Sequence, residues 1–250
     1  MNLNLNQTWR IGSVFGIPVY LDASYIVSIL LWSLFLGQSS ILGWLMMPAL
    51  FASVLLHEIG HSLAAIHHKI FVDAIVLHAF GGYTRLRGVY KTPTQLLQVC
   101  FAGPLVNLTL YVTFSLIAYP LTSVGGLLPL VFNQLRDLNL LLGLYNLIPV
   151  LPLDGGQILK ALLWRQTDKP AEGERYAALA SYMIGIIAII GGIYFYTKTP
   201  FLAIYLLYLG INACHNNPIA QTRSGSCNPV GNSTSRGSLK QVYRPYQRRF

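Results

Sequence analysis

The chain has 250 residues, 54% hydrophobic and only 10% charged, with 17 Lys+Arg against 8 Asp+Glu and a net charge of +9. Soluble domains carry about 25% charged residues, so this chain cannot cover a water-facing surface, and its hydrophobicity excludes intrinsic disorder. In such a chain a basic excess reads as cytoplasmic loops and a tail held near anionic lipid, with no direct nucleic-acid partner.

The N-terminal MNLNLNQTWR has one Arg and no apolar core. The first apolar run therefore reads as a retained span and not as a cleaved signal. Apolar runs lie at about 17–36, 41–66, 96–121, 137–164, 176–196 and 200–214. At about 20 residues per crossing they predict six spans. The fourth run is too long for one helix, and Pro149 and Pro152 interrupt it. It reads as a broken span, which is tolerated at membrane depth only where the backbone is buried in protein or lines a cavity. The loop at 68–95 contains IFVDAIVLHAFGGYTRLRGVY, rich in β-branched and aromatic residues, with Gly81-Gly82 at its centre. That pattern predicts a β-hairpin with a glycine turn.

With six spans, fifteen of the 17 basic residues fall on the side of the N-terminus, and only Arg136 and Lys198 on the other. The positive-inside rule then places both termini in the cytoplasm. The expected architecture is an α-class, polytopic membrane helix bundle of about six transmembrane helices, with a membrane-associated β-hairpin after the second. Residues 1–214 form its core and 215–250 a flexible basic cytoplasmic tail. Cys100, Cys214 and Cys227 lack motif spacing, so neither a disulfide framework nor a cysteine metal site is expected.

The second run contains His57-Glu58-x-x-His61. Residues four apart share one helix face, so both imidazoles can reach one ion, and Glu58 is placed as a general base toward water. A His-Glu-His cluster at bilayer depth is costly unless it serves a site. A hydrolytic zinc site needs a third protein ligand. His67 faces away from His61 on an unbroken helix, about 240° round, and His67 and His68 suit the membrane boundary. Glu172 and Glu174 lie in a charged stretch that reads as a solvated cytoplasmic loop. Asp154 follows the proline break and precedes Gly155-Gly156. Measured from the cytoplasmic lysines, His61 lies about 12 Å deep and Asp154 about 9 Å. Alone, Asp154 would read as a turn or helix cap; beside H-E-x-x-H it reads as the third ligand.

These residues resemble the site-2 protease family of intramembrane zinc metalloproteases. Phe15-Gly-Ile-Pro-Val19 is similar to the family's opening, and His57-Glu58-x-x-His61 to its zinc motif. Phe101-Ala-Gly-Pro-Leu-Val-Asn107 is similar to its Gly-Pro-x-x-Asn span, and Asn146 through Gly156 to its Asp-Gly motif. The resemblance implies one Zn²⁺ held by His57, His61 and Asp154, with Glu58 activating water. It implies an oxyanion-holding role for Asn146 and a supporting role for Asn107. Interhelical hydrogen bonding is the alternative for both asparagines.

Gly81-Gly82 falls where relatives place a membrane-associated hairpin. Its free edge suits an unwound substrate strand, or the hairpin is purely structural. The outside loop at 121–136 leaves no room for a PDZ domain, and no CBS domain is expected after the sixth span. The implied activity is hydrolysis of a peptide bond in or near the transmembrane segment of a membrane protein. The released cytoplasmic fragment is often, in this family, a transcriptional regulator. Two other classes remain: a metal-ion transporter using the same His/Asp site, and an inactive scaffold that binds membrane helices.

Overall fold

Residues 17–22, the head of the first apolar run, form a strand and not the start of a helix. The structure, a computed structural model, describes residues 8–25, 41–78, 81–121, 123 and 126–215. The greater part of the first predicted span, and the predicted tail from residue 216 onward, lie outside the described residues. Strands β1 (Thr8–Val14) and β2 (Ile17–Asp22) are antiparallel, joined through Phe15 and Gly16. Both joining residues have positive φ, 50° and 78°, as a two-residue hairpin turn matched to strand twist requires. At the end of β2 the Asp22 carboxylate accepts the Ser24 N–H at 2.9 Å, capping a helical turn.

Helix α1 (Ile41–His67) carries the H-E-x-x-H motif. It ends as Lys69 turns left-handed at φ 60° and feeds β3 (Phe71–His78). Strand β4 (Gly81–Arg87) returns antiparallel. Gly81 and Gly82 pair with His78 and Leu77, so they open β4 inside the ladder and are not the turn at its centre.

The sheet order is β1-β2-β3-β4, with β2 and β3 parallel. A parallel pair needs a long crossover, and α1 lies within it. Ala74, Ile75, Val76 and Leu77 are all buried, the unbroken apolar run expected of a strand covered on both faces. Ile75 and Leu77 pack with Ile17, Val19 and Tyr25 against Phe51, Val54, Leu55 and Ile59 of α1. The hairpin is thus half of a four-stranded sheet clamped to the motif helix.

The remaining described helices are α2 (Pro93–Leu121), α3 (Leu127–Asn146), α4 (Asp154–Thr167), α5 (Pro170–Phe195) and α6 (Pro200–His215). Pro48–His67, Pro93–Leu121 and Pro170–Phe195 are long and apolar enough to cross a membrane. Apolar side chains such as Leu116, Ile187 and Ile193 are well exposed on them, and the chain is an integral membrane protein.

Two boundaries differ from expectation. Helix α3 begins at Leu127, so most of the predicted loop at 121–136 is helical; Arg136, which reads as a loop residue, pairs with Asp137 at 2.8 Å on the helix surface. Glu172 and Glu174 lie on α5 and not in a loop, paired with Lys169 at 2.9 Å and Lys160 at 3.2 Å.

The break in the fourth run spans residues 147–153, between α3 and α4. It contains the cis Leu151–Pro152 bond. Val150 packs on Leu209 and Ala213 of α6. The Leu151 N–H donates to Ser181 Oγ on α5 at 2.8 Å, and Ser181 in turn donates to the Ala177 carbonyl. Backbone polar groups freed by the break are thereby satisfied inside the protein. The segment folds back on α4 so closely that a Cβ at Gly155 would collide with the Leu147 carbonyl oxygen, and one at Gly156 would lie 2.5 Å from the Leu151 nitrogen. Only glycine permits that approach, and it brings Asp154 to face α1.

Candidate metal centre

His57 and His61, one turn apart on α1, are 5% and 8% exposed. Helix α2 crosses them at Gly103, whose missing Cβ is the space the two imidazoles occupy; a Cβ there would clash with His61 Nε2 and stand 2.7 Å from His57 Nε2. Pro104, next in the chain, has no N–H to give the Cys100 carbonyl one turn back. The neighbouring Val99 carbonyl accepts from His61 Nδ1 at 2.7 Å. His57 Nδ1 donates to Asn107 Oδ1 at 2.5 Å. Both acceptors call for hydrogen on Nδ1, which leaves each Nε2 with a bare lone pair.

The two bare nitrogens face each other at 3.1 Å. Asp154 Oδ2 sits 3.1 Å from His57 Nε2 and 3.2 Å from His61 Nε2, and this buried oxygen has no hydrogen-bond donor among the described residues. Three acceptors converging without a proton between them repel, unless a cation lies at their centre. Ligands about 2.0–2.1 Å from a tetrahedral zinc stand about 3.3 Å apart, close to the separations here. Among the described residues, His57, His61 and Asp154 are the group whose spacing suits a metal. The donor set, two imidazoles and a carboxylate, suits zinc.

Glu58 is buried beside them and belongs to the same cavity, about 790 Å³, which Asn146, Tyr145, Tyr208 and Asn212 also line. Its Oε2 accepts from Thr84 Oγ1 of β4 at 2.9 Å. A Cβ at Gly82 would lie 2.7 Å from Glu58 Cγ and 2.9 Å from Oε1. Strand β4 therefore lies directly across the carboxylate. Gly82 leaves it room and Thr84 holds one oxygen. Gly81 lines the cavity too.

The two asparagines separate. Asn107 is fully buried and touches a candidate ligand. Asn146 faces the cavity, but one amide N–H donates to the Leu142 carbonyl of its own helix at 3.1 Å. Sequence reasoning missed Thr84 and Asn139. Thr84 lies in β4 two residues past the glycine pair, where alternation puts it on Gly82's face of the sheet. Asn139, fully buried, accepts from Asn107 Nδ2 at 3.1 Å. His67 and His68 contact each other at the end of α1 and stand outside the cluster.

Two histidines and a carboxylate gathered inside an integral membrane protein, with a restrained glutamate at their side, form a candidate metal centre. The comparisons give the family: the model of Peptidase family M50 matches residues 45–134 and 127–190, and the chain belongs to that family. A Synechocystis relative named "Putative zinc metalloprotease sll0528" is 36% identical over 225 residues, covering 82% of this chain and 58% of the relative. "Zinc metalloprotease MJ0392" of Methanocaldococcus jannaschii is 33% identical over 161 residues, covering 64% of this chain and 46% of the relative. The chain thus spans about half the length of these curated relatives. The solved structure titled "Site-2 Protease from Methanocaldococcus jannaschii" superposes with a TM-score of 0.62 at 25% identity, covering 90% of this chain and 99% of that one.

Proposed function

We propose that this chain is an intramembrane zinc metalloprotease that hydrolyses a peptide bond in or near the transmembrane segment of a membrane protein. The observation that carries the proposal is the convergence of His57 Nε2, His61 Nε2 and Asp154 Oδ2 with their hydrogens tied away. These three atoms are the ligands of one zinc ion. Zinc bound there supplies Lewis-acid chemistry, polarising a carbonyl and bringing the pKa of water toward 7.

The chain's own residues do the rest. Glu58 accepts a proton from the attacking water as the C–O bond forms, and returns it to the amide nitrogen as the C–N bond breaks. Thr84 holds Oε2, which leaves Oε1 beside Gly82 to carry that proton. One Asn146 N–H is used by Leu142; the second serves the oxyanion that develops on the carbonyl. A helical substrate hides its carbonyls in hydrogen bonds, so it must unwind before reaching Glu58. The edge of β4 at Gly81 and Gly82 is placed to pair with the unwound strand.

The experiment is cleavage of a single-span substrate in liposomes. Chelation should abolish cleavage and zinc should restore it. Asp154→Asn should lose zinc together with activity, because a neutral amide is a poor replacement for an anionic ligand. Normal zinc content and cleavage in that variant would remove Asp154 from the site.

In the membrane we place six crossings, with both termini cytoplasmic, since fifteen of the 17 basic residues then share one side. The cut falls in the cytoplasmic half and frees a cytoplasmic fragment, for which a membrane-tethered transcriptional regulator is the proposed substrate. Protease protection of tags at the two ends should give the same result for both; opposite results would break the six-crossing count. A transporter would need ligands strung across the bilayer, whereas among the described residues one cluster has metal spacing.

A further inference from the structure

A line of side chains runs from α3 to the metal centre, and its polarity is set at the far end. A primary amide has an acceptor end and a donor end. Asn139 Nδ2 lies 2.8 Å from the Leu135 carbonyl oxygen, one turn back on α3. A carbonyl only accepts, so the NH₂ end of Asn139 is fixed there. Its Oδ1 therefore faces α2, 3.1 Å from Asn107 Nδ2. That contact requires Asn107 to present its donor end to α3, which turns its own Oδ1 toward His57 Nδ1. An acceptor at that point requires hydrogen on Nδ1 and leaves the Nε2 lone pair facing His61 and Asp154. Asn107 and Asn139 are both 0% exposed, so water does not take either one's place. The two helices pack closely at this level: a Cβ at Gly143 would stand 3.4 Å from Asn107 Cβ, in ordinary contact.

We propose that Asn139 is a positioning residue of the metal centre. Through Asn107 it selects the Nδ1–H tautomer of His57, the one whose Nε2 can coordinate. Without Asn139, no other hydrogen bond among the described residues fixes which end of the Asn107 amide faces His57. The flipped amide would offer N–H to His57 Nδ1 and move the imidazole hydrogen to Nε2, where it blocks coordination. The inference rests on the reading of His57 as a metal ligand.

Two substitutions separate this relay from a packing role. Asn139→Leu removes both polar ends and suits an apolar bundle. Asn139→Asp keeps an acceptor facing Asn107 but adds a charged group to a buried site. If Asn139 only fills space, the leucine variant should be the milder. The relay gives the opposite order. Purified protein in detergent is titrated with Zn²⁺ against a chromophoric chelator, a readout independent of cleavage.

Asn139→Leu should bind zinc about 10–100-fold more weakly, the usual effect of losing a partner behind a ligand. Asn139→Asp should stay within about threefold of wild type. In an Asn107→Ala background Asn139→Leu should add less than about threefold, because the relay is already cut. Should Asn139→Leu not fold, Asn139→Ala carries the same expectation. Wild-type affinity in the leucine variant, or equal losses in the leucine and aspartate variants, overturns the relay. Absence of zinc binding in the wild-type protein overturns the metal-ligand reading, and the relay with it.

Discussion

Glu58→Gln should lower cleavage of a single-span substrate by about 10²–10⁴-fold, the usual weight of a positioned acid–base group, while zinc content stays at the wild-type level. Glutamine keeps the shape of the side chain and can still bond Thr84, whose hydroxyl can donate or accept. It cannot take a proton from water. Glu58 is not among the three atoms that converge with metal spacing, so the metal should remain. The two readouts, rate in liposomes and zinc per protein by elemental analysis, must therefore part company. Cleavage at the wild-type rate would remove Glu58 from the chemistry. Joint loss of zinc and rate would make it a ligand or a structural prop instead. The Thr84 bond explains why the group can be this selective: a carboxylate held at one oxygen from β4 presents the other in a fixed direction.

What the sequence disclosed, and what it hid, follows from where the signal is local. His57, Glu58 and His61 sit within one helical turn or so, and helical spacing alone brings both imidazoles to one side. Asp154 was legible because prolines and paired glycines mark a break, and a break inside a membrane span needs a reason. Strand β2 was not legible as a strand. Its IPVYLD runs into the apolar stretch after it, and its partner β3 begins about fifty residues on. Nothing local announces a parallel pairing of that range. Arg136 mimicked a loop residue because a charge between two apolar runs suggests solvent, whereas Asp137 pairs with it on a helix.

The asparagines show the same limit. A buried Asn on a membrane helix reads as interhelical glue. Telling Asn107, which touches His57, from Asn146, which lines the cavity, and finding Asn139 at all, required knowing which helix faces which. The contact between α2 and α3 decides that, and no spacing within either helix encodes it.

Gly103→Ala should cost most of the metal affinity and, with it, most of the activity, although the substitution adds one methyl group. Helix propensity alone favours alanine over glycine by about 0.8–1.0 kcal/mol, so any loss runs against the local preference. The reason is position. The added Cβ would clash with His61 Nε2 and lie 2.6 Å from His61 Cε1 and 2.7 Å from His57 Nε2. These are the coordinating nitrogens of the proposed site, and the imidazoles cannot retreat freely because Val99 and Asn107 hold their Nδ1 atoms. Overpacking of this kind costs about 1–3 kcal/mol, equivalent to roughly 5- to 150-fold in zinc affinity if the strain falls on the ligands. Gly191→Ala on α5 is the control: among the described residues its Cβ would meet Leu206 Cδ1 alone, at an ordinary 3.5 Å, so zinc content and cleavage should match wild type. Paired zinc titrations of the two variants read the difference directly. If Gly103→Ala binds zinc as tightly as Gly191→Ala does, α2 does not press on the two histidines as the structure has it, and the metal centre must be held open some other way.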